Sequence, residues 1–324
     1  MTEPRQERRK KRDDGPKTYE HVPVIHRPHW KWLVIWYFFV GGIGAASGII
    51  GAIASLQPTR QRQSVARHAY GIALLTMLIC PVLLILDLGK PTRFLNMLRV
   101  LKLRSPMSVG SWALTAFGGV VGLAVAHDSL QGRVGWVPTR SGPVSKALHL
   151  AAIPLGAMVA AYTGALLAAT AVPLWAKAPR MLTALFVSSA FATGTSAIAA
   201  SRALFGFGAD PSPAIGGLKQ IAMLTELVTL IVWLKQLGAA GKPLREGTTG
   251  SVVDHGVIGL GLAAPMAIAA ATGYRTTRGA RWLRFLGLCA SLLGGFALRY
   301  AVIVGGRASA DDPQATFDFT RTER

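Results

Sequence analysis

The sequence predicts an all-α integral membrane protein with eight transmembrane helices, arranged as two four-helix bundles. Of its 324 residues, 51% are hydrophobic and only 15% are charged, which is too apolar for a soluble domain of this size. Carboxylates are scarce as well, with 15 Asp and Glu against 35 Lys and Arg. Long unbroken apolar runs also argue against the alternating pattern of a transmembrane β-barrel.

Each apolar run is long enough to cross a hydrocarbon core of about 30 Å, which takes roughly 20 helical residues. Gly-, Pro- and charge-rich connections such as "QPTRQRQ" and "KQLGAAGKPLREG" separate the runs. Pro81 and Pro154 are compatible with membrane helices, since neighbouring helices and hydroxyl side chains satisfy the freed backbone groups. The predicted spans are Leu33–Leu56, His68–Leu88, Met107–Ala126, Lys146–Ala171, Met181–Leu204, Ile215–Leu237, Val252–Thr272 and Trp282–Val304.

Two segments weakly echo each other. "FFVGGIGAASGIIGA", starting at Phe38, resembles "FVSSAFATGTSAIAA", starting at Phe186. The likeness consists mostly of small residues, which membrane helices use for close packing. An internal repeat of the two four-helix halves is therefore one interpretation, and a shared packing composition is the other.

The chain divides into a basic tail over residues 1–29, cytoplasmic or disordered, a membrane domain over residues 30–307 and a polar C-terminal tail over residues 308–324. "MTEPRQERRKKRDDGPK" lacks the apolar core of a cleavable signal peptide. The formal charge of +20 lies in tails and loops that flank spans. Basic residues there set topology and contact anionic lipid, so the charge does not favour nucleic-acid binding.

An even number of spans puts both termini on one side of the membrane, here called the termini side. The tails and the connections after spans 2, 4 and 6 hold nearly twice as many Lys and Arg residues as the connections on the opposite side. The positive-inside rule therefore predicts cytoplasmic termini in a cell membrane.

Cysteine and histidine usage limits the redox groups. Cys80 and Cys289 each stand alone in a span, so the chain is expected to ligate neither an iron–sulfur cluster nor a c-type haem. A membrane b-haem normally needs two histidines at matching depth, and no histidine lies mid-span. His68, His127 and His149 fall at span ends on the opposite side. They are interpreted as interfacial residues or part of a proton exit, with haem ligation a weaker alternative.

Three ionisable residues lie inside spans or at their ends: Asp87, Glu226 and Arg299. Each such group costs about 2.5–3.5 kcal/mol at a helix centre and so tends to face a partner or cavity. Glu226 is the deepest of the three. It is either an acid satisfied within the bundle or a proton carrier.

Polar and aromatic residues gather on the termini side, because successive helices alternate in direction. Aromatic rings at a membrane boundary are common belt residues, and Asp87 could simply cap its helix or pair with Arg93. The gathered residues are Trp30, Trp32, Trp36, Tyr37, Asp87, Lys90, Arg93, Ser105, Trp112, Tyr162, Trp175 and Arg299.

Four stretches carry a family resemblance. They are "LDLGKPTRFLNML" with "SPMSVGSW", "YTGALLAATAVPLW" from Tyr162, "LFVSSAFATGTSAI" from Leu185 and "LLGGFALRYAVIVGGR" from Leu292. In this order, from about Trp30 to Arg307, they resemble the NrfD/PsrC family of polysulfide reductase membrane subunits. The resemblance implies a quinone-reactive subunit without its own metal. Electrons would pass between menaquinone or ubiquinone and a ferredoxin-like iron–sulfur subunit, which serves a molybdopterin or cytochrome catalytic subunit.

The resemblance also implies residue roles. Tyr162 matches a tyrosine that hydrogen-bonds a quinone carbonyl, and Asp87 matches a polar position that could take up the quinol proton. Arg93 and Arg299 match family arginines, whereas Glu226 has no match. Many members carry His or Asn at the start of helix 1, where this chain has Trp36 and Tyr37. The predicted catalytic residues are Asp87 and Glu226, and the predicted cofactor-binding residues are Tyr162, Arg93, Trp36, Tyr37, Trp112 and Arg299.

Two points remain open in the sequence. In family members whose partner subunits work on the outer side of the membrane, the termini side must face outward. The count of Lys and Arg residues in this chain instead places the termini side in the cytoplasm. The alternative function is a secondary transporter with a site near Glu226 and Arg299, although the Gly and Pro positions of the two halves match poorly. A structural anchor without quinone binding is a third interpretation.

Overall fold

Eight long apolar helices make up most of the part of the chain that the structure describes. The computed structural model describes Pro28 and residues 30–57, 59–88, 96, 98–102, 105–130, 142–205, 213–273, 275 and 277–312, which contain no strand. The predicted all-helical membrane fold is confirmed, since all eight helices are long and apolar enough to cross a membrane. They are α1 Trp32–Ser55, α2 Arg60–Asp87, α3 Pro106–Leu130, α4 Pro143–Ala168, α5 Pro179–Leu204, α6 Pro213–Leu237, α7 Gly247–Thr272 and α8 Arg278–Asp311.

Some helix ends differ from the prediction. Helix α2 begins at Arg60, eight residues before the predicted start, so part of "QPTRQRQ" is helical. The "KQLGAAGKPLREG" connection contains a 3₁₀-helix over Gly238–Leu244, and α8 continues past Val304 to Asp311. Hydropathy marks the part of a helix that lies in hydrocarbon. Backbone hydrogen bonding continues into the headgroup layer, where charged side chains cost little.

The helices form two four-helix halves. Helices α1–α4 pack together, as do α5–α8, and α1 also contacts α5 and α8 across the boundary. Most of α1 is buried, which makes it a central helix of the whole molecule. Its Gly- and Ala-rich stripe faces α5 directly: a Cβ on Gly194 would lie 2.8 Å from Ala46 Cβ. The two echoing segments therefore pack against each other, which small residues permit.

Helix α7 is wound irregularly. Residues Val252–Ala263 form a π-helix between α-helical turns at Gly247–Ser251 and Ala264–Thr272. This part of α7 lies very close to α8, because a Cβ on Gly261 would be only 2.6 Å from Gly294 Cα. Two facing glycines thus allow backbone contact in the second half.

The "SPMS" sequence fixes the start of α3. Pro106 opens the helix, and the Ser108 amide donates to Ser105 Oγ at 3.4 Å, as at a helix N-cap. Ser108 Oγ also accepts from the Lys102 amide at 3.0 Å and donates to the Val100 carbonyl at 3.2 Å. These bonds tie the preceding segment to the first turn of α3 and set the position of the residues that follow.

Candidate functional site

Two tyrosines meet on the termini side of the first half. Tyr162 lies in the last third of α4 and Tyr37 in the first third of α1, and their phenol groups are close neighbours. Tyr37 is only 4% exposed, whereas Tyr162 is half-buried. The pair therefore has one buried ring and one ring that is partly accessible.

A glycine of α3 holds the Tyr162 ring in place. Gly110 is buried directly beneath the ring, and a Cβ at this position would overlap the ring carbons. On the other side, Cys80 of α2 contacts α1: a Cβ on Gly41 would lie 3.6 Å from its Sγ, and the thiol is an electrostatic neighbour of Tyr37. We call Tyr37, Cys80, Gly110 and Tyr162 the phenol site. Each of the four helices of the first half contributes one of its residues.

Asp87 lies between the phenol site and the membrane surface. It is the last residue of α2, seven residues and thus two turns after Cys80, so it is about 10 Å closer to the termini side on the same stripe. The side chain is half-buried, and Lys31 just before α1 is a charge neighbour. A carboxyl group in this position can exchange protons with water.

A cavity of about 550 Å³ opens at the termini ends of α4 and α5. Ala165 and Ala169 follow Tyr162 on one stripe of α4, so this cavity begins about one turn from the phenol. Its lining is small and mostly apolar, with one guanidinium. The lining residues are Ala165, Ala168, Ala169, Pro179, Arg180 and Thr183.

Trp175 joins two of the resembling stretches. It is fully buried between α4 and α5, its Nε1–H donates to the Val302 carbonyl at 2.9 Å, and its indole stacks on Trp30 with ring centroids 5.1 Å apart. Gly306 of α8 leaves room for the ring, which a Cβ there would overlap. Trp30 and Trp175 therefore hold the start of α1 and the end of α8 together.

The structure separates other predicted site residues from the phenol site. Trp36 is 41% exposed and packs on Phe296 of α8 at a centroid distance of 4.6 Å. Trp112 is 38% exposed and, two residues after Gly110, lies on a different face of α3. Arg93 lies outside the described residues. The cofactor-binding roles of these three residues stay predictions.

Arg299 and Glu226 come together at mid-membrane. Arg299 Nη1 donates to Ser189 Oγ and to the Gly295 carbonyl, the latter at 3.0 Å, and its guanidinium lies 5.4 Å from the Phe186 ring centre. Glu226 lies beside Ser189 and is a charge neighbour of Arg299. All three polar side chains are buried.

This cluster lies deeper in the membrane than the termini side, where the sequence analysis placed Arg299. Its guanidinium approaches Gly42, ten residues and so about 15 Å along α1 from Trp32. Arg299 therefore belongs to the membrane interior and not to the termini side. The sequence analysis grouped Arg299 with the termini side because only its position along α8 was known, whereas its long side chain extends to α1 and α5. Its cofactor-binding role stays a prediction.

A second buried polar group lies toward the opposite side. The Tyr70 hydroxyl and His149 Nδ1 are 2.7 Å apart, and Ser145 Oγ lies 3.3 Å from His149 Nε2. His68 Nδ1 similarly lies 3.0 Å from Ser201 Oγ. His68 and His149, two of the three histidines predicted at span ends, thus have protein hydrogen-bond partners within the bundle.

Sequence reasoning missed several contributors to these groups. Gly110 stands inside the quoted "SPMSVGSW" motif, but the motif does not show which ring covers the glycine. Ser189 lies in a run of small residues whose hydroxyls are indistinguishable by sequence. Tyr70 and Ser145 could have been found from their location, since both lie in the opposite-side halves of their spans, as His149 does.

Comparison with known proteins adds the family. No curated protein sequence matches the chain. The family profile described as "Polysulphide reductase, NrfD" matches residues 20–310, nearly the whole chain. The match includes all four resembling stretches and both halves of the bundle. The chain therefore belongs to the polysulphide reductase NrfD family.

Proposed function

We propose that the chain is the quinone-interacting membrane subunit of a respiratory oxidoreductase. It would pass electrons between menaquinone or ubiquinone and a separate ferredoxin-like iron–sulfur subunit, with coupled proton transfer. A molybdopterin or cytochrome subunit would carry the terminal chemistry, so this chain would not be catalytic alone. Membership of the family supports the class of complex. The observation that carries the assignment to a site is the Tyr37–Tyr162 phenol pair.

The phenol site has the chemistry that a quinone headgroup requires. A quinone ring needs hydrogen-bond donors at its carbonyl oxygens and apolar contact on its faces, and a phenol provides both. Buried Tyr37 packs beside half-buried Tyr162, whose hydroxyl would donate to a quinone carbonyl. The neighbouring 550 Å³ cavity provides apolar volume one turn away. A bound quinone supplies a two-electron, two-proton couple.

Asp87 is the proposed proton acceptor. It lies two turns from Cys80 toward the termini side, where a carboxylate can take a proton and release it to water. Lys31 nearby favours the charged carboxylate after release. Glu226 would serve a deeper proton step, since it is buried inside the bundle beside Ser189 and the charge of Arg299.

The Tyr162 assignment predicts a specific kinetic change. In membranes containing the full complex, Tyr162→Phe should raise the quinol KM by roughly 2- to 13-fold, because one net hydrogen bond contributes about 0.5–1.5 kcal/mol. The matched control is Tyr300→Phe, since Tyr300 is 41% exposed on α8. Equal KM values for both variants and wild type would remove Tyr162 from the site.

Asp87→Asn tests the proton step. The variant should lower kcat for quinol oxidation while the complex stays assembled. Asp254→Asn is the control, because Asp254 is an exposed acid in the termini-side part of α7. Loss of assembly in Asp87→Asn alone would show that Asp87 is structural.

We also propose that the termini face the cytoplasm of a bacterial or archaeal cell. Single cysteines in a background without Cys80 and Cys289 test this with a membrane-impermeant maleimide. Ser129→Cys, on the opposite side, should react in intact cells, and Lys242→Cys, on the termini side, only after lysis; both residues are exposed. The reverse pattern would place the termini outside and the iron–sulfur partner with them.

A secondary transporter is the second candidate, favoured by the buried Glu226–Ser189–Arg299 cluster at mid-membrane. Purification of the tagged protein in mild detergent distinguishes the two functions. Co-purified iron–sulfur subunit and quinone support the oxidoreductase. A protein that retains neither, and that catalyses substrate uptake in vesicles, supports the transporter.

A further inference from the structure

A second cavity, of about 970 Å³, lies in the other half of the molecule and at the other side of the membrane. It opens between the opposite-side ends of α5, α6, α7 and α8. The phenol site lies among α1–α4 on the termini side, so the two are separate. Much of the wall is apolar, including Pro265, Met266, Ile268, Phe285 and Leu288.

Five cations line this cavity, and none of its described lining residues is an acid. Arg202 comes from the end of α5 and Lys219 from α6, while the start of α8 contributes Arg278, Arg281 and Arg284. An apolar cavity with several cations and no carboxylate has an uncompensated positive charge. Its natural occupant carries both an anionic group and hydrocarbon.

Two of the cations are shielded from water, Lys219 more than Arg202. Lys219 is six residues, about 9 Å, inside the start of α6, and it is only 9% exposed. Arg202 is half-buried, and its buried Nε has no hydrogen-bond partner among the described residues. A buried charged group normally has a partner, because desolvation without one is costly. No carboxylate among the described lining residues accepts from either side chain.

The α8 arginines form the cavity rim at headgroup depth. Arg278 and Arg281 are exposed in the first turn of α8. Arg284 donates to the carbonyls of Gly273 at 3.3 Å and Arg275 at 2.6 Å, which fixes the α7–α8 connection beside the cavity. The cations thus extend from the membrane surface down to Lys219, and the apolar wall continues between the helices.

We propose that this cavity binds an anionic phospholipid from the leaflet on the opposite side. Arg202 and Lys219 hold its phosphate, the rim arginines hold the rest of the headgroup, and the acyl chains follow the apolar wall into the bilayer. A neutral quinone would leave the five charges uncompensated, and inorganic phosphate would leave the apolar wall in contact with water. The proposal is independent of the proposed electron transfer.

The experiment measures lipid retained by the full-length protein. The protein is purified in mild detergent, its phospholipids are quantified by class, and native mass spectrometry follows the rebinding of phosphatidylglycerol, cardiolipin and phosphatidylcholine. Wild type should keep about one anionic phospholipid per chain and prefer the anionic lipids on rebinding. Arg202→Gln/Lys219→Gln should weaken rebinding about thirtyfold, since each cation near an anionic lipid contributes on the order of fivefold.

The matched control removes two cations outside the cavity. Lys146 and Lys235 are exposed, Lys146 on the same side of the membrane and Lys235 on the same helix as Lys219, so Lys146→Gln/Lys235→Gln should bind lipid as wild type does. If the buried double variant is not helical and monodisperse, the exposed rim variant Arg278→Gln/Arg281→Gln takes its place, with an expected weakening in the same direction.

Several results would overturn the proposal. Equal lipid rebinding by the cavity variant and the control would do so, as would equal retention of phosphatidylcholine and anionic lipids by wild type. Thermal stabilisation by inorganic phosphate that equals that by phosphatidylglycerol would point to a free anion. Quinone that is lost specifically from the cavity variant would identify a quinone site instead.

Discussion

Alanine at Gly110 would test the contact that positions Tyr162. The added Cβ would overlap the Tyr162 ring carbons, and the ring cannot move away freely because Tyr37 is its close neighbour. Overpacking of this kind costs about 1–3 kcal/mol. Alanine also gains up to about 1 kcal/mol of helix propensity over glycine, which partly offsets the cost.

A second glycine on the same helix provides a control that separates the steric overlap from the gain in helix propensity. Gly119 has no neighbour within 4 Å of its would-be Cβ, so Gly119→Ala gains the propensity without the clash. The difference between the two variants should therefore be about 1–3 kcal/mol. Unfolding in mixed micelles, followed by circular dichroism as denaturing detergent is added, measures it.

Removing the ring provides the decisive comparison. If the clash is with Tyr162, then Gly110→Ala should cost less in a Tyr162→Ala background, with a coupling energy of about 1 kcal/mol or more. Gly110→Ala should also impair quinol oxidation, because it displaces the phenol. Equal stabilities for the Gly110 and Gly119 variants, together with zero coupling, would refute the packing described for the phenol site.

The same unfolding assay tests three further contacts. Trp175→Phe removes the indole hydrogen bond to the Val302 carbonyl and leaves a void beside the smaller ring, so it should lower the free energy of unfolding by about 1–3 kcal/mol; no loss would show that neither the bond nor the packing stabilises the fold. Tyr70→Phe removes one hydrogen bond to His149 and should cost about 1 kcal/mol, whereas an unchanged midpoint would remove that bond from the folded core. Arg299→Met leaves Glu226 buried without a neighbouring cation, so it should lower the free energy of unfolding by about 3–5 kcal/mol. Glu226→Gln should lower it by less, because glutamine keeps a hydrogen-bonding side chain. The opposite order would mean that the arginine is the less well satisfied of the two.

The number and order of the helices followed from the sequence because crossing a membrane requires a long apolar run. The helices that pack against each other were harder to predict. Lipid tails are as apolar as a protein core, so hydropathy does not distinguish a helix face that packs on protein from one that faces lipid. In helix α1 83% of the most apolar window is buried and in α7 only 28%, although both windows are apolar enough to span a membrane.

The candidate site was predicted as a set of residues and not as an arrangement. Tyr37 and Tyr162 were both named on the termini side, but nothing in the sequence pairs residues that are more than a hundred positions apart. Trp36 shows the limit at short range, since one step along a helix turns a side chain by about 100°. This rotation places the Trp36 side chain against Phe296 of α8, whereas the next residue, Tyr37, lies in the phenol site.

The central position of α1 has a consequence for biogenesis. Helix α1 leaves the ribosome before the other seven described spans, yet two of the helices that enclose it, α5 and α8, are made much later. More than two hundred residues separate Ser55 from Arg278. At about 5–20 residues per second, this interval lasts from roughly ten seconds to most of a minute. The glycine-rich stripe of α1 therefore contacts lipid or an insertion factor until the second half of the chain is inserted and packs around it.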